Sequence, residues 1–153
     1  MSDIVWAVDP RKDRLLDLVQ RMRQATFNLL EVDGLDVEFH APPEQALDGI
    51  ALLADRRRHL LLILKEAVTN IARHADATRA RIDLQLRDGR VELVVEDNGR
   101  GCGPNPGRGC GLRNMASRAA ALGGTLTVGE RPGGGTRVHL VAPLPRRRTR
   151  TIG

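Results

Sequence analysis

"LLLILKEAVTNIARHADA", residues 60–77, begins as an unbroken apolar run and then turns mixed. A stretch of this length without Gly or Pro reads as a helix pressed into a core. Yet Glu66, Asn70, Arg73 and His74 follow one another at intervals of four, three and one. Positions three or four apart share a helix face. One stripe of a buried element thus carries a carboxylate, an amide, a guanidinium and an imidazole, and what that stripe meets decides the function.

The chain has 153 residues, enough for one domain with its own core. Aromatic residues make up only 2%, so that core must be aliphatic. No apolar run approaches the ~20 residues of a membrane span, and "MSDIVWAVDP" lacks the basic start of a signal peptide. These features point to a cytoplasmic location without direct membrane insertion. Net charge is +5, and part of the excess sits in "PRRRTR" near the C-terminus. Residues 144–153 read as a basic flexible tail rather than a nucleic-acid grip, because no aromatics interleave the arginines. Cys102 and Cys110 have neither CxxC spacing nor a neighbouring His pair, which argues against zinc.

Outward from the opening stretch, apolar periodicity over residues 13–34 predicts an amphipathic helix ending near Gly34. "LDVEFHA" alternates as a strand, and "APPEQALDGIA" reads as a loop by its prolines. In "ARIDLQLRDGRVELVVEDNG" two alternating runs flank Asp88-Gly89, the signature of a two-residue hairpin. Residues 99–111, "GRGCGPNPGRGCG", are too rich in Gly and Pro for a regular element. A helix over "LRNMASRAAALGG" and two strands, "TLTVGE" and "TRVHLVAPLP", complete the order. The expected fold is a two-layer α/β sandwich, with a mixed, mainly antiparallel sheet covered on one face by three helices.

The chemistry follows from three places. A Gly-rich loop running into a helix start, through Gly109 and Gly111 to Leu112, offers backbone N–H groups and a positive dipole end to phosphate. The alternative is a plain surface connection; the loop has neither the Walker pattern nor GxGxxG after a strand. Asp97, where a strand meets "NGRG", can accept from an exocyclic amine such as adenine's, or can simply form a turn. On the opening helix, Asn70 offers a hard oxygen to a divalent metal. Glu66, one turn earlier, can act as a base, and Arg73 and His74 can meet phosphate oxygens. Separately, each also reads as a solvated helix edge.

Taken together, the ordered blocks resemble the ATP-binding catalytic domain of bacterial sensor histidine kinases, of the superfamily shared with gyrase, MutL and the heat-shock chaperone ATPases. "KEAVTNIARHADA" looks like the N box, "EDNGRG" the G1 box, "GRGCGLRNMASRAAALGG" the G2 box, and "GGGT" the last nucleotide-side turn. The resemblance covers roughly residues 35–143 and is nearest the nitrate-sensor and desaturase-kinase branch. It implies a Bergerat-type ATPase fold and Mg²⁺ with ATP. Asn70 would be the metal ligand and Glu66 would assist phosphoryl transfer. Arg73, in place of a frequent Lys, and His74 would lie near the phosphates. Asp97 would take the adenine amine, with Gly99 and Gly101 passing the base. Gly109, Gly111 and Leu112 would flank the triphosphate, and Thr136 would close the adenine end.

The family's acceptor is a His on a dimerising helix pair. None of the four His of this chain (His40, His59, His74, His139) has those surroundings. Residues 1–34 therefore read as the segment following an acceptor region carried elsewhere. The expected partners are that acceptor and dimerisation region and a downstream response regulator, the parent protein being compatible with an inner-membrane anchor. Two other functions fit the same motifs: an anti-sigma-factor-type serine kinase, and a non-catalytic nucleotide-binding module.

Overall fold

The computed structural model describes residues 14–31, 34–74, 76–101 and 112–144. In chain order these form α1 (Leu15–Leu30), β1 (Asp36–His40), α2 (Glu44–Leu47), α3 (Ala54–His74), β2 (Arg79–Arg87), β3 (Arg90–Asp97), α4 (Leu112–Ala121), β4 (Thr125–Glu130) and β5 (Thr136–Pro143). The expected loop "APPEQALDGIA" holds the short helix α2. Pro43 caps it with an extended backbone, a position proline tolerates, and the turn buries Leu47.

The five strands form one sheet in the order β1-β2-β3-β5-β4. Asp88 and Gly89 both take positive φ, 51° and 73°, and pair Arg87 with Arg90 across a two-residue turn. That conformation matches the twist of a hairpin. The β3–β5 and β4–β5 pairs are antiparallel as well, whereas β1 joins β2 in parallel, with Asp36 opposite Arg79. A parallel neighbour requires a crossover, and α2 and α3 supply it.

Alternation along β3 and β5 buries Val91, Leu93 and Val95 beside Val138, Leu140 and Ala142. The helices cover that face. Leu60, Ile63, Leu64 and Val68 of α3 join one cluster with Leu18 and Met22 of α1 and Met115 of α4. The segment expected to lead in from an acceptor region thus contributes α1 to the same core as the sheet. The Arg23 guanidinium lies 4.7 Å from the Phe39 ring centroid and couples α1 to β1. The outer face of the sheet is polar, with ion pairs Arg131–Glu96 and Arg137–Glu96 and a hydrogen bond between His139 and Glu92.

Three contacts fix the ends of the layers. Arg56 donates from Nη1 to the carbonyls of Leu122 and Pro143, at 3.3 and 3.2 Å, tying the start of α3 to the ends of α4 and β5. α4 closes in a Schellman arrangement, Gly123 N–H bonding Ala120 O and Gly124 N–H bonding Ala119 O, with Gly123 at φ 73°. Gly124 then passes β5 so closely that a Cβ there would clash with the Val141 carbonyl oxygen. Gly124→Ala is expected to destabilise by about 1–3 kcal/mol through overpacking. Gly129→Ala, whose Cβ would meet nothing within 4 Å, should change stability by less than about 0.5 kcal/mol. Urea unfolding midpoints of the two variants check the contrast.

Candidate functional site

The polar stripe lies along the second half of α3. Glu66 and Asn70 are half-buried, Arg73 is exposed, and His74 is the last helical residue. The intervening Ala67, Val68 and Ile71 are buried, so the stripe flanks the face that α3 presses onto the core. From His74 a short connection enters β2, whose Ala80 pairs with Asp97. The last turn of α3 and the last residue of β3 therefore lie at the same end of the two layers.

Asn98 holds that junction closed. Its side-chain oxygen accepts from the N–H groups of Thr78 and Arg79, both at 2.9 Å. Its amide donates to Thr78 Oγ1, also at 2.9 Å. One side chain thus joins the exit of β3 to the segment between α3 and β2.

Asp97 is only 5% exposed. Its Oδ1 accepts the Gly99 N–H at 2.8 Å. Burial raises its pKa above the ordinary carboxylate value, opposed by the backbone N–H groups of Gly99 and Thr136 and by the charge of Arg131. Glu96 pairs with Arg137, which sets Thr136 beside Asp97. Gly135, at φ 107°, packs its Cα against the Asp97 carbonyl, where a Cβ would overlap the oxygen. Gly101 has φ 77°, and its Cβ would lie 3.5 Å from Thr136 Oγ1. Thr136 itself is buried.

The fold thus brings Asp97, Gly99, Gly101 and Thr136 together, at the end of the layers where the last turn of α3, with Arg73, also lies; Asn70 and Glu66 stand one and two turns further back on that helix. Leu112 begins α4 and is half-buried. Gly109 and Gly111 lie outside the described residues, as do Cys102, Cys110 and residues 145–153. Two contributors were missed in the sequence: Asn98, quoted within "EDNGRG", and Gly135, quoted within "GGGT", neither given a role of its own. A run of three glycines directly before a strand is the signal that one must pass close to a neighbouring backbone.

A cavity of about 520 Å³ lies along the outer face of the sheet, lined by Asp36, Glu38, Arg79, Arg81, Glu96 and Arg131, and it reaches the end of β3, where Asp97 and Asn98 also line it. Its charged walls pair largely among themselves, and neither Glu66, Asn70 nor Thr136 lines it.

Residues 55–146 match the model of the histidine kinase-, DNA gyrase B-, and HSP90-like ATPase family. The chain belongs to this ATPase family. It is 33% identical over 135 residues to the signal transduction histidine-protein kinase/phosphatase UhpB of Salmonella typhimurium, covering 88% of this chain and 26% of UhpB. Over 97 residues it is 40% identical to the nitrate/nitrite sensor protein NarQ of Escherichia coli, covering 61% of this chain and 17% of NarQ. The chain therefore spans about a quarter or less of the length of these relatives. The crystal structure of the ATP binding domain of PrrB from Mycobacterium tuberculosis superposes with a TM-score of 0.64 at 28% identity, covering 88% of this chain and 96% of that one. The two-layer architecture with helices on one face is thus that of an ATPase domain of this family. No helix among the described residues is long and apolar enough to cross a membrane.

The raised pKa of Asp97 has a stability consequence of definite sign. The folded state holds the Asp97 proton to higher pH than the unfolded chain does. Stability therefore falls as pH rises from the ordinary carboxylate value through the raised one. Asp97→Asn removes that penalty while keeping an oxygen for the Gly99 N–H. The variant should melt at or above the wild-type temperature at pH 7, and its stability should vary less with pH across that interval. Thermal melts over a pH series check both.

Proposed function

We propose that the chain binds Mg-ATP at the junction of α3, β3 and β5 and delivers the γ-phosphoryl group to a histidine on a separate acceptor region of its parent kinase. The observation that carries this reading is the Asp97 corner: a buried carboxylate bounded by a glycine turn, in a chain of the ATPase family. A buried carboxylate accepts from adenine's exocyclic amine and repels the carbonyl that guanine presents there. The close approach of Gly135 and the small side of Gly101 leave backbone, not side chains, around the base. Thr136 closes the far side of this corner, and Gly99 holds the carboxylate in place.

The residues of α3 fit a triphosphate with its metal. Asn70 would hold Mg²⁺; among the described residues no group of three or more His, Cys, Asp or Glu forms a protein cage. A site with few protein ligands suits a cation that keeps waters and phosphate oxygens. When bound, the metal neutralises charge on the β- and γ-phosphate oxygens. Arg73 and His74 would contact phosphate, and Gly109, Gly111 and Leu112 would supply N–H groups at the start of α4. The acceptor's unprotonated ring nitrogen attacks the γ-phosphorus, and the bond to the bridging oxygen breaks with its electron pair going to ADP. Glu66 accepts the proton given up by the other ring nitrogen. A response regulator would then take the phosphoryl group from the acceptor.

Asn70→Ala should abolish most of the Mg²⁺ dependence of ATP binding while leaving the melting temperature within a few degrees of wild type. Calorimetric titration of ATP with and without Mg²⁺ measures this, and equal Mg²⁺ dependence in both proteins would remove Asn70 from the metal.

With γ-labelled ATP the chain alone should not label itself, because phosphoryl transfer needs an acceptor in line with the phosphorus. Addition of an acceptor-helix dimer should give acid-labile label in that fragment, slowly, since no tether raises its effective concentration. Acid-stable label on a protein serine would instead identify a serine kinase.

A further inference from the structure

We propose that Arg131 is a positioning residue for base recognition: held by Glu96, it fixes the 131–135 turn and so sets Gly135 and Thr136 against Asp97. This rests on reading the Asp97 corner as the adenine site.

The turn needs an external hold. Gly133, Gly134 and Gly135 all take positive φ, at 91°, 106° and 107°. Three consecutive glycines have more conformations to lose on folding than any other tripeptide. Arg131 supplies three bonds, two from its main chain and one from its side chain. Its N–H bonds Gly135 O at 3.0 Å, and its carbonyl accepts the Gly134 N–H at 2.9 Å. Its Nη1 donates to Gly134 O at 3.3 Å. The same guanidinium places Nε 3.5 Å from Glu96 Oε2. Glu96 precedes Asp97 on β3, and its other oxygen lies 3.5 Å from Arg137 Nε, just after Thr136 on β5.

One carboxylate on the outer face therefore grips both arms of the corner, while Asp97 occupies the inner face. Arg131 acts on the site through this grip. Ion pairs near the surface contribute little to overall stability, so the domain should stay folded without this one, while the turn loses the two side-chain contacts, to Glu96 and to Gly134 O, that anchor it. Because Gly135 already abuts the Asp97 backbone, a shifted turn changes the shape of the base pocket directly. The charge of Arg131 acts on Asp97 in the same sense, favouring the ionised form that accepts from an amine.

The test is the ATP and GTP affinity of the full chain with Mg²⁺, by calorimetry, for wild type, Arg131→Met, Arg131→Lys and Glu96→Gln. Arg131→Met should lower ATP affinity about tenfold, the scale of one buried hydrogen bond lost, with GTP affinity unchanged. Arg131→Lys, which retains a cation for Glu96, should restore most of the ATP preference. Glu96→Gln should reproduce the loss, and it decides the matter if Arg131→Met does not fold. An unchanged ATP-to-GTP ratio in the folded variant, or an equal fall for both nucleotides, overturns the proposal. A wild type that does not prefer ATP overturns the adenine reading itself and this inference with it.

Discussion

A strand that ends on a buried carboxylate imposes a constraint on everything around it. Burial of Asp97 disfavours its charged form, and a buried charge is tolerated only where donors meet it. Here they are the Gly99 and Thr136 N–H groups, one from the chain just after β3 and one from the start of β5. The second requires β5 to lie beside β3, and the approach of the intervening turn requires Gly135. The sheet order β3-β5-β4 and the glycine turn are therefore what the solvation of this one side chain requires, alongside the apolar core that the same strands share.

Most of the fold was legible in the sequence because it is written in periodicity. Val91, Leu93 and Val95 alternate, and Asp88-Gly89 names its own turn. The apolar run before Glu66 is long enough to be a helix. What was not legible belongs to pairing across distance. Nothing in "LDVEFHA" distinguishes a parallel from an antiparallel neighbour, and β1 proved parallel to β2. Nor do prolines forbid a helical turn when they stand at its start, as Pro43 does. In the site, Asp97 and Asn70 stood out because each combines a chemical group with an unusual position. Asn98 and Arg131 did not, because their importance lies in which backbone groups they hold.

The two faces of the sheet divide the labour. The inner face carries the aliphatic core and, at one end, the corner around Asp97. The outer face carries charged pairs of modest energy, yet Glu96 links them to the strands that bound the site. Alternation of side chains along β3 places Glu96 and Asp97 on opposite faces as adjacent residues. The outer surface is thereby mechanically coupled to the inner one through a single peptide unit.

The scarcity of aromatic rings has a consequence for discrimination. Among the described residues the two phenylalanines belong to the α1–β1 side, and Phe39 is covered by the Arg23 guanidinium. A base entering the Asp97 corner would find glycine backbone and a threonine rather than a π-face to stack upon. Stacking rewards every base alike, whereas a fixed acceptor penalises the wrong edge by leaving a polar group unpaired. If this corner takes the base, as proposed, its composition would separate purines sharply while holding the right one only moderately, and occupancy would follow the cellular supply of nucleotide instead of saturating far below it.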